Sequence, residues 1–248
     1  MNGGTTEKSI AENVAAVRER IAAAANRAGR KADEVTLVAV SKTRMPGEIE
    51  TAVEAGVLDL GENKVQEIRS KYDILRVFTE NSAKNRNIKW HMIGHLQRNK
   101  VKYIVDKVSL IHSVDSLRLA EEIDCRIDSL GGTMDVLLQV NAAAEESKSG
   151  VAPGEVKQLV SAILGTCENV RIRGLMTIVP TANDPEDVRR YFSEIKSLYD
   201  EVGHEYRCEK LDFTWLSMGM THDFEVAVEE GANMVRVGTG IFGSRVYV

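Results

Sequence analysis

Apolar residues follow two alternating rhythms along this chain. One recurs every three or four positions, as on the buried face of a helix. The other forms short continuous runs rich in β-branched residues, as in strands covered on both faces. The helical rhythm comes first: Ile10, Val14, Val17, Ile21 and Ala24 recur until Gly29, and Ser9 with Glu12 makes a capping box at the start. Eight strand-like runs follow, at 36–41, 57–60, 88–93, 110–114, 134–140, 172–178, 213–217 and 234–237. The helical rhythm returns between most of them, for example at Val156, Leu159, Val160 and Ile163 and at Val188, Tyr191, Phe192, Ile195 and Leu198. Pro46, Pro153 and Pro185 stand where first helical turns are expected, with Asp184 as a natural N-cap. Two connections are weaker. After Ile93 only Leu96, Val101 and Ile104 make a stripe, and 79–87 reads as a polar loop.

Eight βα units in 248 residues predict an α/β protein, a (β/α)8 TIM barrel forming one domain over residues 1–248. The N-terminal helix is then an extra element closing one end. An open doubly wound sheet typically carries fewer strands, and no Gly-x-Gly-x-x-Gly follows the first run. In such barrels the working residues project from the C-terminal ends of the strands. Lys42, Asn63, Gly94, Asp115, Asn141, Thr221 and Gly238 are therefore expected round one mouth.

Charge and composition narrow the partners. A net charge of -5 and a pI near 5.7 argue against nucleic acid or an anionic membrane surface. No apolar stretch approaches the roughly 20 residues that span a bilayer, and the first residues lack the basic-then-apolar order of a secretion signal. Cys125, Cys167 and Cys208 are far apart and odd in number, which suits a reducing compartment. A cytoplasmic protein is expected.

Lys42 is the most informative candidate. It closes the first strand run, and Pro46 opens a helix four residues later, so a flexible amine stands on a rigid base. Position alone favours an ordinary exposed lysine; other residues argue otherwise. Arg236 lies between Val235 and Val237 in the last run, and alternation sends it either into the barrel or toward the helices. A buried guanidinium needs a partner there, a carboxylate or a ligand. The segments Ser217-Met218-Gly219-Met220-Thr221 and Gly238-Thr239-Gly240 follow runs seven and eight, with Thr221 at the expected N-cap of the next helix. Glycines let backbone N–H groups approach an anion, hydroxyls add donors, and phosphate sites in barrels often lie in these two loops. Gly-Thr-Gly alone reads more simply as a turn. A reactive amine, an arginine and a phosphate cradle together suggest a phosphorylated aldehyde. Pyridoxal 5′-phosphate (PLP) offers an aldehyde, a phosphate and a ring nitrogen.

A set of motifs then adds a family. Ser41-Lys42-Thr43, Gly61-Glu62-Asn63, His91-Met92-Ile93-Gly94, His112-Ser113-Val114-Asp115, Ser147-Lys148-Ser149-Gly150, Gly174-Leu175-Met176-Thr177, Ser217-Met218-Gly219-Met220 and Ile241-Phe242-Gly243 occur in this order. With them the chain resembles the PLP-binding proteins of the YggS/PROSC family, from Leu37 to Arg245. The resemblance implies the barrel found as the first domain of alanine racemase, here standing alone. It implies that Lys42 forms the internal aldimine and that Arg236 faces the pyridine nitrogen. Thr221, Gly238 and Thr239 would hold the phosphate, Asn63 would line the ring, and Ser217 would join the cofactor-binding set. Many members carry serine where Thr221 stands; threonine keeps the hydroxyl.

The implied role is intracellular PLP (vitamin B6) homeostasis, with PLP-dependent apoenzymes as candidate recipients and a monomer expected. An enzyme is not expected. A guanidinium beside the ring nitrogen disfavours its protonation and so weakens the ring as an electron sink, although racemases of this fold work with that arrangement. The chain also stops soon after the eighth run, which leaves no further domain to supply an acid or base. A small PLP-dependent enzyme such as an amino-acid racemase is the alternative, and a Schiff-base aldolase using Lys42 without cofactor is a third. His91, His95 and His222 are read as hydrogen-bonded or solvent-facing, Arg98, Lys100 and Lys102 as a solvated face, and Lys148 as a candidate second cofactor contact.

Overall fold

The computed structural model describes residues 9–80, 87–143, 145, 149–206, 208 and 210–244. Helix α1 (Ile10–Arg27) begins with the expected capping box: Glu12 N–H donates to Ser9 Oγ at 3.2 Å and Ser9 N–H to a Glu12 carboxylate oxygen at 2.7 Å. Eight strands follow: β1 (Thr36–Val40), β2 (Asp59–Glu62), β3 (Lys89–Met92), β4 (Leu110–Val114), β5 (Met134–Val140), β6 (Val170–Thr177), β7 (Leu211–Ser217) and β8 (Met234–Val237). They pair in parallel in chain order, and β8 returns to β1 to close the barrel. The remaining helices are α2 (Pro46–Glu54), α3 (Val65–Glu80), α4 (Leu117–Asp128), α5 (Val156–Thr166), α6 (Arg189–Glu205), α7 (Phe224–Glu229) and α8 (Thr239–Phe242).

Strand alternation divides the buried apolar residues between two cores. Leu37, Ala39, Leu60, Ile111, Val235 and Val237 pack outward under the helices. Val38, Leu110, Leu137, Met176 and Met234 fill the barrel interior. The polar residues that matter below are distributed between these same two spaces.

Four local expectations are corrected. Strand β2 lies two residues further along than 57–60. Gly56 takes φ +90°, and Val57 N–H returns to the Ala52 carbonyl at 3.1 Å, so Val57 finishes α2 rather than starting a strand. After β3 the weak stripe forms a 3-10 helix, Arg98–Tyr103, instead of an α-helix. Pro153 and Pro185 open short 3-10 turns that lead into α5 and α6; Pro46 does open α2 directly. Thr79 and Glu80 belong to the last turn of α3, and 81–86 of the expected loop lie outside the described residues.

Helix α1 does not close an end. Near its start, the Asn13 side-chain amide donates to the Ile241 carbonyl beyond β8 at 2.9 Å. At its far end Arg27 bonds Glu229, and Arg30 bonds the Val228 and Ala232 carbonyls ahead of β8. The helix therefore runs down the outside of the barrel, against α2, α7 and α8. Helices α7 and α8 have only 6 and 4 residues, and the Val14–Val17–Ile21 face of α1 covers the apolar surface they leave. Among the described residues no helix is long and apolar enough to cross a membrane.

Candidate functional site

Lys42 leaves β1 in a tight turn. Arg44 N–H donates to the Ser41 carbonyl at 3.0 Å, so Lys42 and Thr43 are its central residues. Thr43 has φ +64°, the only positive φ outside glycine among the described residues. A β-branched residue in this region is strained and persists only where its surroundings hold it. Here they do. Glu67 accepts the Thr43 N–H at 2.5 Å, and Lys71 Nζ holds the Ser41 carbonyl at 2.8 Å. Lys71 also pairs with Glu67 at 2.9 Å and with Glu62 at 2.6 Å, and Glu62 accepts the Ser41 hydroxyl at 2.7 Å. This cluster sits between the sheet and α3 with Glu62 wholly buried. Burial pushes the Glu62 carboxyl above its ordinary value despite Lys71 and Ser41. Burial also acts to raise Glu67, but its bonds from Lys71 and Thr43 and the nearby lysines leave it lowered.

Arg236 points into the barrel. It is level with Val38 of the neighbouring β1, whereas Lys42 stands four residues nearer the mouth. Its guanidinium donates to Ser217 Oγ at 2.7 Å and to the Thr177 carbonyl at 2.8 Å, and no ion pair to it is present among the described residues. The carboxylate partner of the plain reading is thus not in contact. Burial lowers Arg236 to about 10, with the more distant Asp223 charge acting the other way. Ser217 lies wholly buried behind Arg236, its hydroxyl shared with His112 Nδ1 at 3.1 Å.

The segments after β7 and β8, expected to hold a phosphate, come together at the same mouth. Thr221 is not a helix N-cap: α7 starts at Phe224, with Asp223 in the capping position. Asp223 instead ties the loop by accepting the Met220 N–H at 2.5 Å. Thr221 Oγ1 accepts from Gly240 N–H at 3.4 Å, which joins the two loops. A Cβ on Gly240 would lie 2.9 Å from Val237 Cγ1 and 3.2 Å from Thr221 Cγ2, so only glycine permits this approach. Gly238 is half-buried and Thr239 exposed, at the start of α8.

Asn63 follows β2 and is half-buried, with a buried Oδ1 that has no hydrogen-bond partner among the described residues. Its backbone is crowded by Gly94, where a Cβ would fall 2.4 Å from the Asn63 carbonyl oxygen. Lys42, Asn63, Thr221, Gly238 and Thr239 thus lie beyond the C-terminal ends of adjacent strands in the order β7, β8, β1, β2, with Arg236 beneath them. A half-buried amine, an unsatisfied amide oxygen, a guanidinium without carboxylate contact and a glycine-tight hydroxyl loop fit an aldehyde, a ring and a phosphate. Lys148 lies outside the described residues.

Sequence reasoning passed over Glu62, Glu67, Lys71 and His112. A signal for Lys71 existed: it falls between Ile68 and Leu75 on the buried stripe of α3, four residues after Glu67. His91 and His112 are both buried and hydrogen-bonded to each other at 2.9 Å.

Comparison with known proteins agrees with this architecture. Residues 12–246 match the family described as alanine racemase, N-terminal domain. A protein of Aquifex aeolicus named pyridoxal phosphate homeostasis protein is 45% identical over 236 residues, 95% of this chain and 98% of its own. One of the same name from Escherichia coli is 38% identical over 96% of this chain and 97% of its own. The solved structure of PipY from Synechococcus elongatus, with PLP bound, has 33% identity and a TM-score of 0.78 over 94% of this chain and 100% of that one. With such likeness along nearly all of its length, the chain belongs to the family of pyridoxal phosphate homeostasis proteins, whose barrel is that of the alanine racemase N-terminal domain.

Proposed function

We propose that this protein holds PLP at the C-terminal mouth of its barrel and serves PLP homeostasis as a carrier rather than a catalyst. Lys42 is the amine that meets the aldehyde carbon, Asn63 lines the ring, and Thr221, Gly238 and Thr239 hold the phosphate. Arg236 meets the ring nitrogen, with Ser217 supporting it from behind. When bound, PLP supplies an aldehyde that condenses reversibly with a lysine amine.

The observation that carries the reading is Arg236, a buried cation held by a hydroxyl and a carbonyl with no carboxylate of the described residues in contact. An unprotonated pyridine nitrogen can accept from such a donor, whereas a protonated one would set two like charges face to face. A ring kept unprotonated is a poor electron sink, which favours storage over carbanion chemistry. The names of the relatives support the same role. The proposal extends to one domain over residues 1–248, a cytoplasmic monomer, and PLP-dependent apoenzymes as recipients.

Titrating the purified protein with PLP tests it. The protein should acquire absorption near roughly 420 nm, as expected of PLP joined to a lysine, and Lys42→Ala should lack that band. A band that survives Lys42→Ala would remove Lys42 from the site. Sustained amino-acid racemisation by the homogeneous protein, abolished by Lys42→Ala, would replace the carrier with an enzyme.

A further inference from the structure

The barrel interior holds a line of polar side chains that the cofactor site does not account for. Starting from Arg236, Ser217 Oγ lies 2.7 Å away, His112 Nδ1 is 3.1 Å from Ser217 Oγ, His112 Nε2 is 2.9 Å from His91 Nδ1, and His91 Nε2 is 3.0 Å from Asp59 Oδ1. The two imidazoles meet edge to face, with ring planes at 71°. Asp59 opens β2 at the N-terminal mouth, with its side chain 20% exposed in a cleft shared with Lys89, Asp135 and Arg173. The line therefore crosses the barrel from solvent at one mouth to the guanidinium below the other.

Donor and acceptor chemistry gives this line one direction. A guanidinium only donates, so Ser217 Oγ accepts from Arg236. An ionised carboxylate only accepts, so His91 carries a proton on Nε2. With His91 neutral, its Nδ1 is bare and must accept from His112 Nε2–H. With His112 neutral, its Nδ1 is bare and must accept the Ser217 hydroxyl proton. Burial first, with the Arg236 charge in support, holds His112 well below the ordinary histidine value, which keeps it neutral. A proton added to His91 would reverse the two middle bonds of the line, His112–His91 and Ser217–His112, and leave the two end bonds as they are. Ser217 Oγ would then accept from both Arg236 and His112, and its own proton would lose the His112 acceptor.

We infer that Asp59, His91, His112 and Ser217 form a one-way hydrogen-bond chain that fixes both imidazoles as Nε2–H tautomers and holds Arg236 as an aimed donor. They are positioning residues for the group that Arg236 meets, and only the identity of that group rests on the function proposed above. The N-terminal mouth, ordinarily a stabilising face, is thereby coupled to ligand binding at the opposite mouth. The coupling runs through side chains that touch no ligand themselves.

Long-range 1H–15N correlation spectra of the 15N-labelled protein without PLP test the chain directly, with His91→Phe and His112→Phe assigning two of the five histidines. Both rings should be Nε2–H, with a coupling across the hydrogen bond from His112 Nε2 to His91 Nδ1. A proton on His112 Nδ1, or no coupling between the rings, overturns the chain; the unmodified protein gives this answer even if neither variant folds. The aim of Arg236 is read with PLP as probe: His91→Phe, three hydrogen bonds removed from Arg236, should raise the dissociation constant about threefold to tenfold with Lys42 intact. An unchanged dissociation constant in a folded variant overturns the positioning role. Wild-type protein that binds no PLP would sink the carrier function instead, while the tautomers would still decide the chain.

Discussion

Two lysine or arginine side chains are buried among the described residues, Lys71 and Arg236, and the protein treats them in opposite ways. Lys71, between the sheet and α3, is neutralised: Glu62 and Glu67 both pair with it, and the Ser41 carbonyl takes another donor. Arg236, inside the barrel, bonds a hydroxyl and a carbonyl but no carboxylate among the described residues. Burying a charge without an opposite charge is costly. The difference separates a brace from a binding group. Lys71 fixes the strained turn that carries Lys42, whereas the role proposed for Arg236 uses a charge that no carboxylate among the described residues takes up.

The largest expected effect comes from breaking the brace. Lys71→Met leaves Glu62 buried beside a thioether, and loss of one partner of a buried pair costs about 3–5 kcal/mol. Urea unfolding should show that loss at neutral pH. A cost below about 1 kcal/mol would mean that Glu62 simply takes up a proton and that the pair contributes little.

Arg236→Met should reverse the pattern. It removes a cation that has no carboxylate to abandon, leaving two neutral hydrogen-bonding groups, at a cost nearer about 2 kcal/mol. Its affinity for PLP should fall by more than about tenfold, from loss of a charge-assisted hydrogen bond. If instead Arg236→Met unfolds the protein more readily than Lys71→Met, the contrast between brace and binding group fails.

The contrast also explains what could be read from the chain. Lys42, Thr221 and Gly238 were legible because barrels place function after strands, so strand ends alone locate the mouth. Arg236 stood out as a charge amid valines, but alternation could not say which face was the interior. The three-dimensional register decides that, with Arg236 level with inward Val38. Glu62 was hidden because the expected second strand ended at residue 60, short of it, whereas Glu62 is the buried last residue of β2. The histidine chain was beyond sequence reasoning for another reason. His91 and Ser217 are 126 positions apart, and only closure of the barrel sets them on the two sides of His112.

A pH series sharpens the description of the brace. The folded-state value of Glu62 is raised above its ordinary 4.5, chiefly by burial. A carboxyl raised on folding binds its proton more tightly in the folded state. Its contribution is complete below the unfolded value and is lost as pH rises through the folded value. Wild type should therefore lose stability relative to Glu62→Gln as pH climbs from about 4.5 upward, read by urea unfolding of both proteins at each pH. A growing wild-type advantage over that window would show the Lys71 charge outweighing burial, with Glu62 lowered rather than raised.

The smallest effect concerns the strain that the brace holds in place. Thr43 sits at φ +64° between Lys42 and Arg44 and spends its hydroxyl on the Lys42 carbonyl, 2.6 Å away. The left-handed region costs an ordinary residue roughly 1–2 kcal/mol, and asparagine visits it more readily than threonine does. Thr43→Asn keeps the N–H that Glu67 accepts, so it should stabilise the protein by roughly 0.5–1 kcal/mol while PLP binding stays near the wild-type level. The gain should be larger when Lys71 is methionine, because a turn with a weaker clamp depends more on its own backbone preference. Equal gains in both backgrounds would place the restraint on the turn elsewhere, in Glu67 alone. A loss in both would show that the threonine hydroxyl, rather than the carboxylates below it, sets the direction in which Lys42 leaves the strand.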